Sequence, residues 1–213
     1  MDINTIINNI AVWALPVLFA ITLHEVAHGW VANKLGDGTA KMLGRLTLNP
    51  VKHIDPVGTI LVPLVMLVLQ TGFIFGWARP VPVNIRNFKN PGKDMAIVAI
   101  AGPLSNLAMA IFWLFVYKFS SSILGNSNIG HGIMAMGHAG IIINLILFVF
   151  NLLPIPPLDG GRVLLGFVSP SVSDLLDKIE PYGFFIVIGL LYIGVLDSIL
   201  YPVISFFMSI IGF

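Results

Sequence analysis

Cysteine is absent from this 213-residue chain. That excludes disulfides and thiolate chemistry, and it leaves His, Asp and Glu as the side chains able to hold a metal. Charge is scarce: Asp, Glu, Lys and Arg make up 10% of residues, against about 25% in a soluble globular domain. So few charges cannot cover a water-facing surface. With 57% hydrophobic residues, the chain reads as a multi-pass integral membrane protein with the lipid bilayer as its surroundings. A strong charge imbalance is also missing. The formal net charge of +1 gives no nucleic-acid signal, so no nucleic-acid partner is expected. There is no basic leader: Asp2 is the only early charge, and the first apolar segment does not read as a signal peptide. Repeats, low-complexity tracts and soluble linkers are lacking as well. One membrane-embedded domain over residues 1–213 is therefore expected, and nothing in the sequence sets an oligomeric state.

What the chain does have is a polar constellation inside an apolar run. His24-Glu25-Val26-Ala27-His28 lies within the stretch from Ile10 to Ala32. On a helix, residues four apart share a face, so His24 and His28 can hold one metal ion together. Glu25 projects beside them, where a carboxylate can take a proton from an attacking water. The bland alternative is a buried histidine pair satisfied by backbone. Ionisable groups inside a membrane are costly, and they usually mark function.

Along the chain, Ala11–Ala32 is long enough to span a bilayer, and Gly36-Asp37-Gly38 ends it. Thr39–Pro50 partly alternates apolar and polar residues, as in a short strand or hairpin. Pro56–Phe75 is apolar, with basic residues on both sides: Lys34, Lys41, Arg45 and Lys52 before it, and Arg79, Arg86, Lys89 and Lys93 after it. If basic loops face the cytoplasm, this segment enters and leaves on one side and is re-entrant; the alternative is an ordinary spanning helix. Gly76–Lys93 is proline-rich and expected to be extended. Asp94–Phe119 is a second span, Ser120–Gly137 a polar loop, and His138–Leu153 a third span. A short helix should run to Val168. Tyr182–Phe213 fits two helices in a hairpin, broken near Asp197 and Pro202. The fold class is thus all-α and polytopic, with about five to six membrane segments around a three-helix catalytic core and short strand or re-entrant elements.

A zinc site needs a third protein ligand and one open position. The remaining candidates are His53, His131 and His138, and the carboxylates Asp55, Asp94, Asp159 and Asp197. Asp159 stands out. It follows Asn151-Leu152-Leu153-Pro154-Ile155-Pro156-Pro157-Leu158 and precedes Gly160-Gly161. The prolines open a helix end and the glycines allow close backbone approach. The competing reading is a helix-terminal aspartate paired with Arg162.

Taken together, His24-Glu25-Val26-Ala27-His28, Ala101-Gly102-Pro103-Leu104-Ser105-Asn106 and Asn151 through Leu158-Asp159-Gly160-Gly161 resemble the site-2 protease family. These are zinc metalloproteases that cut within membranes. Gly44-Arg45-Leu46-Thr47-Leu48-Asn49-Pro50 and His53-Ile54-Asp55-Pro56 resemble a compact prokaryotic branch, without an inserted PDZ-like domain or a CBS pair. The resemblance implies that His24, His28 and Asp159 bind one Zn2+ ion and that Glu25 is the general base. It implies a transmembrane protein as substrate and a prokaryotic cell membrane as location, and the basic loops put the active site nearer the cytoplasmic side. It makes Asn151 a neighbour of the site that positions substrate or stabilises the oxyanion. Asn106 is a family position whose catalytic and packing roles the sequence does not separate. His53 is a contact to the site or to substrate, or else an interfacial histidine. Gly102, Pro103 and Ser105 read as close-packing positions, and Asn144 as an interhelical hydrogen-bonding residue. Two rival functions are a membrane metal transporter, which needs several ligand clusters along a path, and a catalytically inactive protease-like scaffold.

Overall fold

The structure, a computed structural model, describes residues 3–69, 76–125 and 127–212. Helix α1 (Ile3–Lys34) is followed by one helical turn, α2 (Thr39–Met42), and a 3-10 turn, Pro50–Lys52. A six-residue π-helical turn, Pro56–Leu61, continues into the eight-residue α3 (Val62–Leu69). A stretch without helix or strand, residues 76–84, leads through a 3-10 turn, Ile85–Asn87, to α4 (Pro91–Phe119). Then come α5 (Asn128–Asn151), α6 (Asp159–Leu165), α7 (Pro170–Tyr192) and α8 (Val195–Ile211).

Three helices are long and apolar enough to cross a membrane: Ile7–Lys34, Pro91–Leu124 and Asn128–Asn151. The bent pair Lys178–Tyr192 and Val195–Ile211, at 75°, makes four if it counts as one span. The apolar helix beginning at Pro56 is short; a single crossing takes about 20 helical residues. Residues 70–75 of the expected re-entrant segment lie outside the described residues. Large apolar side chains face outward along the helices, among them Ile111, Phe115, Phe185 and Phe206. Such a surface suits lipid and not water.

Helices α1, α4 and α5 pack on one another and form the centre. Ala110 and Trp113 of α4 meet Ile141 and Leu145 of α5, and Phe207 and Ile211 of α8 cover them. Glycine permits this approach. A Cβ at Gly140 would lie 2.2 Å from the Trp113 ring, so the indole occupies the missing side chain's place. For the same reason the expected loop Ser120–Gly137 is mostly helical. Gly137 is a contact point and not a turn residue, since a Cβ there would press on Tyr117 at 3.0 Å, whereas Gly125, at a φ of +51°, does turn the chain. The helix α4 runs on as a π-helical turn through Leu124, and α5 begins at Asn128.

No strand occurs among the described residues, which corrects the reading of Thr39–Pro50. Its polar side chains cap turns and do not alternate across a sheet. The Asn49 side chain accepts Val51 N–H and starts the 3-10 turn. Asp37 accepts the amide N–H and the hydroxyl of Thr39. The hairpin break near the C-terminus also moves. It falls at Gly194, whose φ of +74° suits glycine, while Asp197 and Pro202 lie inside α8.

Asp37 fastens these connections to one another. It is fully buried. Besides Thr39, its carboxylate accepts Asn84 N–H and Asn87 Nδ2–H, both at 2.7 Å. Burial opposes its charge, but the hydrogen bonds from Thr39, Asn84 and Asn87 outweigh that and hold its pKa below the usual carboxylate value. A lowered folded pKa stabilises the fold above the unfolded value, and that stability is lost as pH falls through the folded one. We expect Asp37→Ala to lower stability by about 1.5–3 kcal/mol at neutral pH. The gap between parent and variant should close under acid conditions, read by thermal unfolding in detergent. A gap that persisted unchanged at low pH would contradict the charged hydrogen bonds.

Candidate metal centre

Helix α1 presents His24 and His28 to α4, where both rings are buried, at 8% and 9% exposure. Each ring is fixed from behind. His28 Nδ1 lies 2.8 Å from the Val98 carbonyl, and His24 Nδ1 lies 2.7 Å from Asn106 Oδ1. The orientation of Asn106 is set in turn. Its Nδ2 donates to the Ala20 carbonyl at 3.2 Å and to Asn144 Oδ1 at 2.9 Å, and Asn144 donates to the Gly140 carbonyl at 2.8 Å. Asn106 therefore offers an acceptor to His24, as Val98 does to His28. A neutral imidazole has one N–H. Both rings spend it on these partners, which leaves both Nε2 atoms as lone-pair acceptors.

Those acceptors converge. The two Nε2 atoms are 3.0 Å apart, and Asp159 Oδ2 lies 3.1 Å from that of His24 and 3.4 Å from that of His28. Asp159 Oδ2 is buried without a hydrogen-bond partner. Three electron-pair donors facing one another repel unless a cation sits among them. Bonds of about 2.0–2.2 Å in a tetrahedron give ligand spacings of about 3.3–3.6 Å; the His28–Asp159 separation matches, and the two involving His24 would open slightly around zinc. Among the described residues, this is the one group of three or more such side chains able to hold a metal ion.

The chain reaches Asp159 through a tight return. After α5 ends, Leu152–Leu158 turn back, and α6 starts at the aspartate. A Cβ on Gly160 would lie 2.3 Å from the carbonyl oxygens of Leu152 and Leu153, and one on Gly161 would lie 2.6 Å from Pro156 N. Only glycine lets this first turn rest on the backbone just traversed. Arg162 does not pair with Asp159; its Nη2 points to Glu180 Oε1 on α7, at 3.5 Å.

Gly102 has a role that packing periodicity did not reveal. A Cβ there would lie 2.4 Å from His28 Nε2 and 2.7 Å from His24 Cε1. The imidazoles occupy the space that any side chain on Gly102 would need. We expect Gly102→Ala to weaken zinc binding by at least about 10–100-fold, the range seen when a ligand is misoriented. Helical content by circular dichroism should be unchanged. Unaltered zinc affinity would show that the rings have room to yield.

Glu25 lies beside the cluster on α1, and its Oε2 accepts the Val81 N–H at 2.7 Å. Asn151 and His53 have hydrogen-bond partners of their own. Asn151 Nδ2 donates to the Leu147 carbonyl at 3.0 Å, one turn back on its own helix. His53, 1% exposed, has Nε2 at 2.9 Å from the Thr47 carbonyl. His131 and His138 belong to α5 and not to the cluster.

An apolar helical bundle with two imidazoles, one carboxylate and a neighbouring glutamate defines a membrane protein with a metalloprotease-type site. Comparison with known proteins gives the family. The model of peptidase family M50 matches residues 122–193. Three relatives are each named "Putative zinc metalloprotease". YwhC of Bacillus subtilis (strain 168) is 42% identical over 193 residues, covering 90% of this chain and 84% of the relative. Rip2 of Mycolicibacterium smegmatis is 28% identical over 197 residues, covering 92% and 72%. MJ0611 of Methanocaldococcus jannaschii, named in the same way, is 35% identical over 150 residues, covering 70% and 71%. No solved structure matches the chain. The chain belongs to peptidase family M50, the site-2 protease family of zinc metalloproteases.

Proposed function

We propose that this protein is an intramembrane endopeptidase that hydrolyses peptide bonds of transmembrane proteins, with one zinc ion held by His24, His28 and Asp159. One observation carries the reading: three lone pairs converge between membrane helices within 3.0–3.4 Å of one another, and a carboxylate stands beside them. When bound, zinc supplies the Lewis acidity that makes water a competent nucleophile near neutral pH. Glu25 takes the proton of the attacking water and returns it to the leaving amine. Asn106 and Val98 hold the imidazoles in the tautomer that leaves Nε2 free. Water is the nucleophile, so no acyl-enzyme forms.

The substrate must be locally unwound, because helical carbonyls are occupied by their own hydrogen bonds. A transmembrane segment with helix-breaking residues suits this need. Beside the three long apolar helices, the short helix from Pro56 and the bent pair near the C-terminus are read as further membrane-embedded segments. His28 precedes Lys34 by six residues, about 9 Å along the helix. The site thus lies toward the basic loops, the cytoplasmic side of a prokaryotic membrane by the positive-inside rule. A metal transporter would need successive ligand clusters, and the described residues hold one. A non-catalytic scaffold has no need of the complete set of ligands and base.

Zinc content measured together with cleavage of a transmembrane substrate in liposomes tests the reading. Stoichiometric zinc and chelator-sensitive cleavage are expected. Zinc flux across the liposome without cleavage would favour the transporter, and neither activity would favour the scaffold.

A further inference from the structure

Glu25 is held by a part of the chain that belongs to no helix. Gly76–Asn84 forms neither helix nor strand, and Pro80 and Pro82 within it carry no N–H. Val81 therefore contributes the one backbone donor between Arg79 and Val83, and that donor is spent on Glu25 Oε2. The segment is fastened on both sides of this bond. Arg79 N–H donates to the His53 carbonyl at 2.9 Å. Arg45 Nη2 donates to the carbonyls of Arg79 and Pro80, at 2.8 and 3.3 Å. Asn84 N–H is held by Asp37. The segment also rests on the motif helix. A Cβ on Gly29 would meet Leu46 Cδ2 at 2.6 Å and Val81 Cγ1 at 2.7 Å, so the glycine after the motif is a seat for both side chains.

We propose that Arg45 is a positioning residue for the general base. By holding two successive carbonyls it sets the Val81 N–H, which orients the Glu25 carboxylate and leaves Oε1 for proton transfer. A planar guanidinium suits two adjacent acceptors, whereas a lysine ammonium is a point donor on a flexible stem. Productive geometry depends on such support. A displacement of about 1 Å at a reacting group can cost about 100-fold in rate. The inference rests on the assignment of Glu25 as base, but the contact itself can be tested without catalysis.

The first measurement is amide hydrogen exchange of the zinc-loaded protein in detergent. Val81 N–H should be protected in the parent and exchange at least about tenfold faster in Arg45→Ala, with zinc content unchanged. Equal protection in the two proteins, or loss of zinc from the variant, would overturn the proposal. This holds even if the parent cleaves no transmembrane substrate, a result that would defeat the protease reading separately. With cleavage, Arg45→Ala should lower kcat about 10–100-fold with KM within about threefold, and Arg45→Lys should fall between parent and Ala. Because the chain has no cysteine, Leu46→Cys and Val81→Cys can be joined cleanly by a short bifunctional thiol reagent. In the Arg45→Ala background, joining them should restore kcat, since the link replaces the lost anchor. Joined protein that is inactive while its unjoined double-cysteine parent is active would mean that the segment must move, and the positioning role would be wrong.

Discussion

Glu25→Gln should abolish cleavage while leaving zinc in place. The substitution is isosteric, and the amide oxygen of glutamine can still accept the Val81 N–H that reaches Glu25 Oε2 at 2.7 Å. The supporting segment should therefore stay where it is. What is lost is basicity, since an amide does not accept a proton near neutral pH. General-base catalysis contributes about 10²–10⁴-fold, so the residual rate should fall by at least that range. His24, His28 and Asp159 are untouched, and zinc content should match the parent. Cleavage at the parent rate would show that another group takes the proton. Loss of zinc would show that Glu25 supports the ligands and does not simply act beside them.

The second large effect is expected at Asp159. Asp159→Ala leaves two imidazoles without a third protein ligand. Its zinc affinity should fall by more than the about 10–100-fold that accompanies loss of an outer hydrogen-bonding partner. Asn106→Ala, which frees His24 Nδ1, supplies that comparison and should lie inside the range. The ordering separates a ligand from a residue that orients one. Thermal stability gives an independent check. Asp159 Oδ2 lies 3.1 and 3.4 Å from the Nε2 atoms of His24 and His28, so in the metal-free protein a proton shared among them can take the cation's place. Asp159→Asn keeps the side chain's shape and offers an N–H to an imidazole Nε2, so the metal-free variant should be about as stable as the parent. Added zinc should then raise the unfolding temperature of the parent, because a ligand that binds the folded state stabilises it by mass action. It should leave that of Asp159→Asn nearly unchanged. An equal rise in both would place the metal elsewhere.

The parts of this site that the sequence discloses are those governed by local geometry. His24 and His28 share a face because four residues make about one helical turn, and that period survives in any helix. Asp159 is marked by prolines before it and glycines after it, and those glycines meet the backbone of Leu152–Pro156 at distances no side chain allows. Other parts depend on the tertiary fold. The N–H that holds Glu25 comes from a residue 56 positions away, and no local pattern announces it. Gly102 looks like any small residue in a membrane helix until the imidazoles are seen filling its missing side chain. Residues 39–50 alternate like a strand, but Asp37 and Asn49 spend their side chains on nearby amides and make turns of it. Residues 120–137 resemble a loop by composition, yet most of them are helical, and Gly137 is where α5 closes on Tyr117 of α4. At Gly102 and Gly137 a residue type that suggests local conformation instead serves a contact with another helix.

The central claim is that zinc chemistry acts on peptide bonds inside the bilayer. Mass spectrometry of the products formed from a defined transmembrane substrate, reconstituted with the zinc-loaded protein in liposomes, tests it most directly. Paired fragments that meet within the membrane-spanning sequence of the substrate are expected, formed by the parent and absent with chelator or with Glu25→Gln. Fragments whose ends map only to segments outside the membrane, or the same fragments from Glu25→Gln at the parent rate, would contradict it.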